Sequence, residues 1–196
     1  MHRLSASFIL GYHGCSASIA EQLFSGRETF KASDNNYDWL GPGVYFWEAN
    51  PRRALRFAEE KRARDNAAWE TAVVGAAIDL GLCLDLSTET GLIALKASYD
   101  VLAATMEVAG EALPVNRGGA DRLLRQLDCA VVRHLHAIRE EALQPPVDTV
   151  RGVFTEGPPL YEGSGFPSKT HVQICVCNPL MIRGVFRVPK NDLEVI

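Results

Sequence analysis

No stretch of this 196-residue chain holds the roughly 20 apolar residues a membrane span needs, so no membrane-spanning helix is expected. The apolar run in "MHRLSASFILGYHG" is too short for the core of a secretory signal, and no small-residue cleavage pattern accompanies it. There is no polybasic arm. With 20 Lys+Arg against 24 Asp+Glu, the formal net charge of −4 offers no general attraction to nucleic acid or acidic membranes. Cysteine is sparse, and the five residues Cys15, Cys83, Cys129, Cys175 and Cys177 form no CxxC pair and no His–Cys group at zinc spacing. Cys175 and Cys177 follow one another on a single strand face, a poor disulfide geometry. Free thiols in a reducing cytoplasm, with no metal, are the expectation. Internal repeats and low-complexity tracts are absent. The "GSG" at 163–165 lacks a following Lys-Ser/Thr, and no GxGxxG follows a strand, so neither a P-loop nor a dinucleotide-binding Rossmann turn is supported.

What remains is an ordinary globule: 47% hydrophobic and 22% charged, at a length that supports one buried core, hence one domain over 1–196. "SFILGYHG" reads as a first strand, and "SASIAEQLFSG" as a short helix capped by Ser16 or Ser18 and closed by Gly26. "VYFWE" is a short strand. "NPRRALRFAEEKRARDNAAW" is a helix with Asn50 as N-cap and Pro51 at its first position. "TAVVGAAIDLG" is a central strand, followed by the apolar patch "LCLDL". Residues 88–143 form a helical insert, "TETGLIALKASYDVLAATMEVAG" and then "GADRLLRQLDCAVVRHLHAIREEAL". The second carries Leu123, Leu124, Leu127, Val131, Leu135 and Ile138 as an apolar stripe. Strands follow at "TVRGVFTEG", "THVQICVCN" and "LMIRGVFRV". Strands, then helices, then strands describe an α+β fold with largely antiparallel pairing.

Three places are over-specified for folding alone. "YHGC" puts His13 at a strand end and removes the side chain from Gly14, whose main chain a ligand can then reach. "DWLGPGVYFWE" turns tightly at Gly41, Pro42 and Gly43, then sets Tyr45 beside the corner, where an aromatic face can stack on a flat ligand. In "THVQICVCNP", His171, Gln173, Cys175 and Cys177 share one strand face just after a Gly/Pro-rich loop, as the mouth of a cleft would require. Taken singly, each has a plainer reading: a surface histidine before a turn, aromatic filler in a core strand, a half-exposed strand.

In order and spacing, the three together resemble the ADP-ribosyltransferase fold, in the branch shared by poly(ADP-ribose) polymerases and diphtheria toxin with its His–Tyr–Glu signature. "YHGC" is similar to that family's His-Gly, and "LGPGVYFWEANPRRALRFA" to its Gly-x-Gly-(Ile/Val)-Tyr-Phe segment and following helix. "VVGAAIDLGLCLDL" resembles its third core strand. "QICVCNPLMIRGVF" resembles its last signature, with Gln173, Ile182 and Phe186 in register. The likeness covers about 8–86 and 150–187 and leaves the insert unaccounted for.

The resemblance implies two packed antiparallel sheets forming an NAD cleft. His13 would bond the adenine-side ribose, Gly14 would hold the nicotinamide carboxamide through its main chain, and Gly43 and Tyr45 would meet the nicotinamide ring. Arg53 stands where the polymerases have a serine that helps hold the carboxamide. Gln173 stands where they have the catalytic Glu. Breaking the nicotinamide–ribose bond builds an oxocarbenium-like cation that a carboxylate stabilises. A neutral carboxamide does this more weakly and cannot act as a base. Chain extension is therefore not expected, and Glu162, with Glu156 behind it, is the acid expected to assist. The implied activity is transfer of one ADP-ribose from NAD+, without a metal, to a macromolecular acceptor, protein or nucleic acid. An NAD glycohydrolase and a non-catalytic NAD-binding module are the alternatives. By analogy alone, a cytoplasmic bacterial toxin or defence effector with a neutralising antitoxin or immunity partner fits such a domain.

Overall fold

The computed structural model describes residues 7–119 and 121–194. Residues 1–6 of the stretch weighed as a signal, and Ala120 in the insert, lie outside the described residues. β1 (Ile9–Ser16) ends where the Ser16 hydroxyl accepts the Ile19 amide at 3.3 Å and opens α1 (Ala17–Phe24). After β2 (Val44–Glu48), the Asn50 carboxamide accepts the Arg53 amide at 3.1 Å and starts α2 (Pro51–Arg64). Pro51 sits where its missing N–H costs nothing. β3 (Thr71–Ile78) and β4 (Cys83–Asp85) lead to α3 (Glu89–Ala109), capped by Thr88 and closed by Gly110 in the left-handed region at φ 70°. Then come α4 (Gln126–Glu141), β5 (Thr149–Phe154), β6 (His171–Val176), β7 (Ile182–Arg187) and a short α5 (Lys190–Leu193). Among the described residues no helix is long and apolar enough to cross a membrane.

The fold is α+β and mostly antiparallel, but the strands form one seven-stranded sheet, ordered β4-β5-β6-β2-β1-β3-β7, where two packed sheets were expected. β2 is the reason. It pairs with β6 over four positions, Val44↔Val176 to Trp47↔Gln173, and with β1 over only two, Gly11↔Glu48 and Tyr12↔Trp47. That short contact joins two half-sheets that otherwise lie apart in pairing. β4 and β5 make the one parallel pair among the described residues.

Register assigns the faces. Val44, Phe46, Ala76, Ile78, Ile174 and Val176 form one core cluster, and α1 covers the same face through Ala20 and Leu23 against Cys15 and Val74. The opposite face carries Tyr12, Trp47 and Val73 against Ala54 of α2, and Val150 and Cys175 against Val132 and Leu135 of α4. α3 packs on α4, with the Ser98 hydroxyl donating to the Val131 carbonyl at 2.9 Å. The insert thus roofs one end of a single sheet face.

The second insert helix begins later than its apolar pattern predicts. Leu123 and Leu124 are exposed, in a turn bridged Arg117↔Leu124, because the Asn116 carboxamide oxygen accepts the Leu127 amide at 2.9 Å and the Asp128 amide at 3.3 Å. That side chain, distant by ten residues from the helix start, supplies the cap that Arg125 does not.

α2 lies so close to β1 that a Cβ on Gly14 would stand 2.1 Å from the Ala54 carbonyl oxygen, a backbone atom that cannot step aside. A Cβ on Gly184 meets nothing within 4 Å. Gly14→Ala should lower stability by about 1–3 kcal/mol through overpacking, and Gly184→Ala by less than about 0.5 kcal/mol. Denaturant unfolding of the two variants beside the parent measures the contrast; equal effects would mean that α2 does not press on β1.

Candidate functional site

The site begins where β1 and β2 part. The Leu10 carbonyl accepts the Ala49 amide at 2.9 Å, so strand alternation turns the main-chain groups of Leu10, Tyr12 and Gly14 toward β2. The ladder stops at Tyr12↔Trp47. Its next rung would bring the Gly14 amide to the Tyr45 carbonyl. That carbonyl instead faces His13 Nδ1 at 2.9 Å. A carbonyl only accepts, so Nδ1 carries the proton and the neutral ring keeps Nε2 as an acceptor. Nε2 has no partner among the described residues. Phe30 and Phe46 contact the imidazole, with ring centroids at 5.3 and 5.7 Å. Burial lowers the His13 pKa, opposed by the bond to the Tyr45 carbonyl, and favours the neutral ring.

The Gly-Pro-Gly corner closes on Tyr45 itself. The Tyr45 hydroxyl donates to the Gly41 carbonyl at 2.8 Å and accepts the Leu40 amide at 3.0 Å. Its ring is half-buried against the cluster of Leu40, Val132 and Cys175, and burial drives the phenol pKa up, so it stays protonated. Gly43 exchanges both main-chain bonds with Ser33, at 2.9 and 2.8 Å. A Cβ there would stand 2.5 Å from Cys175 Sγ, so the corner's glycine serves close approach to β6.

Gln173 lies on the same face as Tyr45, two positions along β6 from its partner Cys175. Its Oε1 accepts the Trp39 indole N–H at 2.6 Å. An indole only donates, which fixes the carboxamide with its oxygen toward Trp39. The amide nitrogen has no partner among the described residues and is not buried. Trp39 lies over Gly152, where a Cβ would come within 2.7 Å of its ring, and meets Phe154 edge-on at 5.1 Å. The Arg125 guanidinium covers both rings, 5.2 Å from Trp39 and 4.2 Å from Phe154. Sequence reasoning missed Trp39 and Arg125. Trp39 was visible as the "W" of "DWLGPG", but nothing tied it to a strand 134 residues away.

Beyond Gln173 the same face turns polar and charged. Arg53 is buried; its Nη2 donates to Glu156 at 3.0 Å, its Nη1 to Glu60 at 3.3 Å, and its guanidinium lies 5.9 Å from the Trp47 ring. Lys169 also reaches Glu156, at 3.5 Å. His171 Nδ1 donates to the Lys169 carbonyl at 2.6 Å, and the ring stacks on Phe154 at 5.4 Å. Burial lowers the His171 pKa first, against the bond to Lys169, with Arg53 lowering it further. Trp47 Nε1, Arg53 Nε and His171 Nε2 are all buried without a partner. Each such orphan costs about 1–3 kcal/mol unless a water or a ligand partners it.

His13 therefore leaves the sheet on the face opposite Tyr45 and Gln173, and the two sets meet only at the parting, through the Tyr45 main chain. Glu162 stands exposed at the tip of a loop pinched by the bridge Pro159↔Pro167, beside exposed Leu160, Tyr161 and Phe166. Glu156, at the loop's root, is the acid that is buried. Two concavities open nearby. One of about 360 Å³ is lined by Asn116, Asp121, Arg125 and Glu156 among others, and one of about 180 Å³ by Arg53 and its neighbours on α2; neither is lined by His13, Tyr45 or Gln173. All five cysteines are free thiols. Compared with protein-family models, curated proteins and solved structures, the chain matches none.

The two shifted histidines make stability depend on pH. Folded His13 and His171 resist protons that the unfolded chain accepts as pH falls through about 6.5. Their contribution is thus fully kept above that pH and lost below it, down to the folded values. Unfolding free energy should decline between about pH 7.5 and about pH 5.5, and the pair His13→Gln and His171→Gln should flatten the decline. A parallel decline in parent and variant would show that these rings do not govern it.

Proposed function

We propose that this domain takes NAD+ into the parting between β1 and β2, releases nicotinamide and transfers one ADP-ribose to a macromolecular acceptor. The observation that carries the reading is the missing rung at Gly14. A continuous ladder here would consume the Gly14 amide. With the His13 ring on the Tyr45 carbonyl, the buried main chain of Gly14 lacks that rung and is left for a ligand that enters the parting. An amide N–H and a carbonyl side by side are the complement of a carboxamide. His13 Nε2, neutral and without a partner among the described residues, would accept from a sugar hydroxyl. These fit the roles that the sequence resemblance implies for His13 and Gly14.

Electrostatics limit the chemistry. Gln173 shows its amide nitrogen, a donor, to its open side, and a donor does not stabilise a cationic transition state. Glu156 is the buried carboxylate beside the Gln173 strand, but Arg53 and Lys169 offset its charge. Rate then comes chiefly from positioning and enclosure, and a single transfer is the expected outcome. The Trp39–Gln173 bond supports a second reading, an NAD-binding module without turnover, because it holds the carboxamide in the unproductive orientation.

NAD+ labelled separately in the nicotinamide and adenosine halves, incubated with protein and cell lysate, tests the proposal. Nicotinamide release with label on a macromolecule is expected, lost in His13→Ala and raised about tenfold or more in Gln173→Glu, a change of about 1.4 kcal/mol in barrier. Free ADP-ribose alone would make the domain a glycohydrolase. Saturable binding without release would establish the second reading, and no binding at millimolar NAD+ would remove both.

A further inference from the structure

The smaller concavity, about 180 Å³, is lined by Asn50, Arg52, Arg53, Arg56, Glu60, Ser168, Lys169 and Thr170. It opens at the N-terminal end of α2, where unpaired amides favour anions. Pro51 has no amide and Asn50 holds that of Arg53, so the Arg52 amide is left for an incoming group. Four cations line or reach the space against two carboxylates, Glu60 and Glu156, which are spent on Arg53 and Lys169. Arg52 and Arg56 have no acidic partner among the described residues, though Arg52 is half-buried. A half-buried guanidinium without a counter-charge is unfavourable unless something supplies one.

A second observation points the same way. Arg53 is only 8% exposed, lines the space, and has a buried Nε without a partner. Its two terminal nitrogens are fixed by Glu156 and Glu60, so the fork is held in place before any ligand arrives. The Ser168 hydroxyl adds a neutral donor at the rim, while that of Thr170 already donates to the Pro167 carbonyl at 3.0 Å.

The geometry points to a binding site for a single phosphate group, held by Arg52, Arg56 and Lys169 with Arg53 as the preset floor. Guanidinium groups suit phosphate oxygens through paired N–H donors. The cluster is too local for a polynucleotide track: Lys61 and Arg64, further along α2, are engaged by Asp65. The phosphate is accordingly a terminal one, on a mononucleotide-sized ligand or on the end of a longer chain. None of His13, Tyr45 and Gln173 lines this site, and the one position it shares with the NAD+ reading is Arg53, its floor.

Removing Arg53 would leave buried Glu156 with less compensation and risks the fold, so the test uses Arg52→Ala/Arg56→Ala, at a half-buried and an exposed position that hold no ion pair among the described residues. Thermal unfolding of the full chain is measured with inorganic phosphate, with AMP and with adenosine, each against chloride at matched ionic strength. Phosphate and AMP should raise the melting temperature in a saturable way, adenosine should not, and the double variant should lose the shift while melting as the parent does in chloride. No shift beyond matched chloride, or a shift retained in the double variant, overturns the site. A 5′-phosphorylated oligonucleotide and its unphosphorylated twin separate the sources. A preference for the former over AMP identifies a nucleic-acid end as the occupant. Equal binding of the phosphorylated oligonucleotide and AMP identifies a small phosphate ester. Equal binding of the two oligonucleotides, with no response to AMP, also overturns the site.

Discussion

One exchange of hydrogen bonds shapes this molecule: the Tyr45 carbonyl takes an imidazole N–H where a sheet rung would stand. A rung and an imidazole bond are each worth about 0.5–1.5 kcal/mol net, so the swap itself is close to neutral. What it changes is connectivity. β2 remains the strand that joins the two half-sheets, yet past Tyr12 and Trp47 it ceases to pair with β1. The edge contacts of Phe30 and Phe46 with the His13 ring keep the parting from being a void on one face. A sheet opened this way stays continuous for folding while leaving one rung of main chain unused.

The opposite face is held by α2, whose contact depends on Gly14 having no side chain. The same helix carries Arg53 down onto Trp47 and across to Glu156, an ion pair with both side chains about nine-tenths hidden. Such a pair adds little net stability, because desolvation offsets its attraction, but removing one partner costs about 3–5 kcal/mol. Its effect is to fix α2 against the loop that follows β5. The charged corner, the orphaned donors around it and the start of β6 are therefore one mechanical unit, and a change at Glu156 would be felt at Gln173.

Periodicity and caps made most of the elements legible in the sequence. Ser16, Asn50–Pro51, Thr88 and Gly110 each mark a helix end by local chemistry, and the structure uses all of them. The start of α4 was not legible, because its cap comes from Asn116, outside the apolar pattern. The single sheet was not legible either: strand composition cannot say that β2 pairs on both edges. Of the site, His13, Tyr45 and Gln173 were legible only as a group expected around one cleft; that His13 leaves the sheet on the face opposite Tyr45 and Gln173 depends on pairing the sequence does not show. Which of two acids in one loop is buried was not legible, since exposure of Glu162 and burial of Glu156 depend on where Arg53 and Lys169 reach. Trp39 was invisible as a partner because an indole's target is set by tertiary contact alone.

The carboxamide at 173 is the point on which the chemistry turns. A glutamate there could accept the Trp39 indole with one oxygen and keep the other, charged, toward the opening. Glutamine gives its oxygen to the same indole at 2.6 Å and is left presenting N–H. A developing ribosyl cation would meet a donor, not an acceptor, and turning the amide over would break the indole bond and leave a half-buried N–H facing N–H. The protein thus resists the orientation that chemistry would want. The remaining negative charge, on Glu156, is shared between two cations and attracts a further positive centre weakly. On the proposed reading, a site with this balance would hold a dinucleotide more readily than it would break one, unless the acceptor brings its own nucleophilicity.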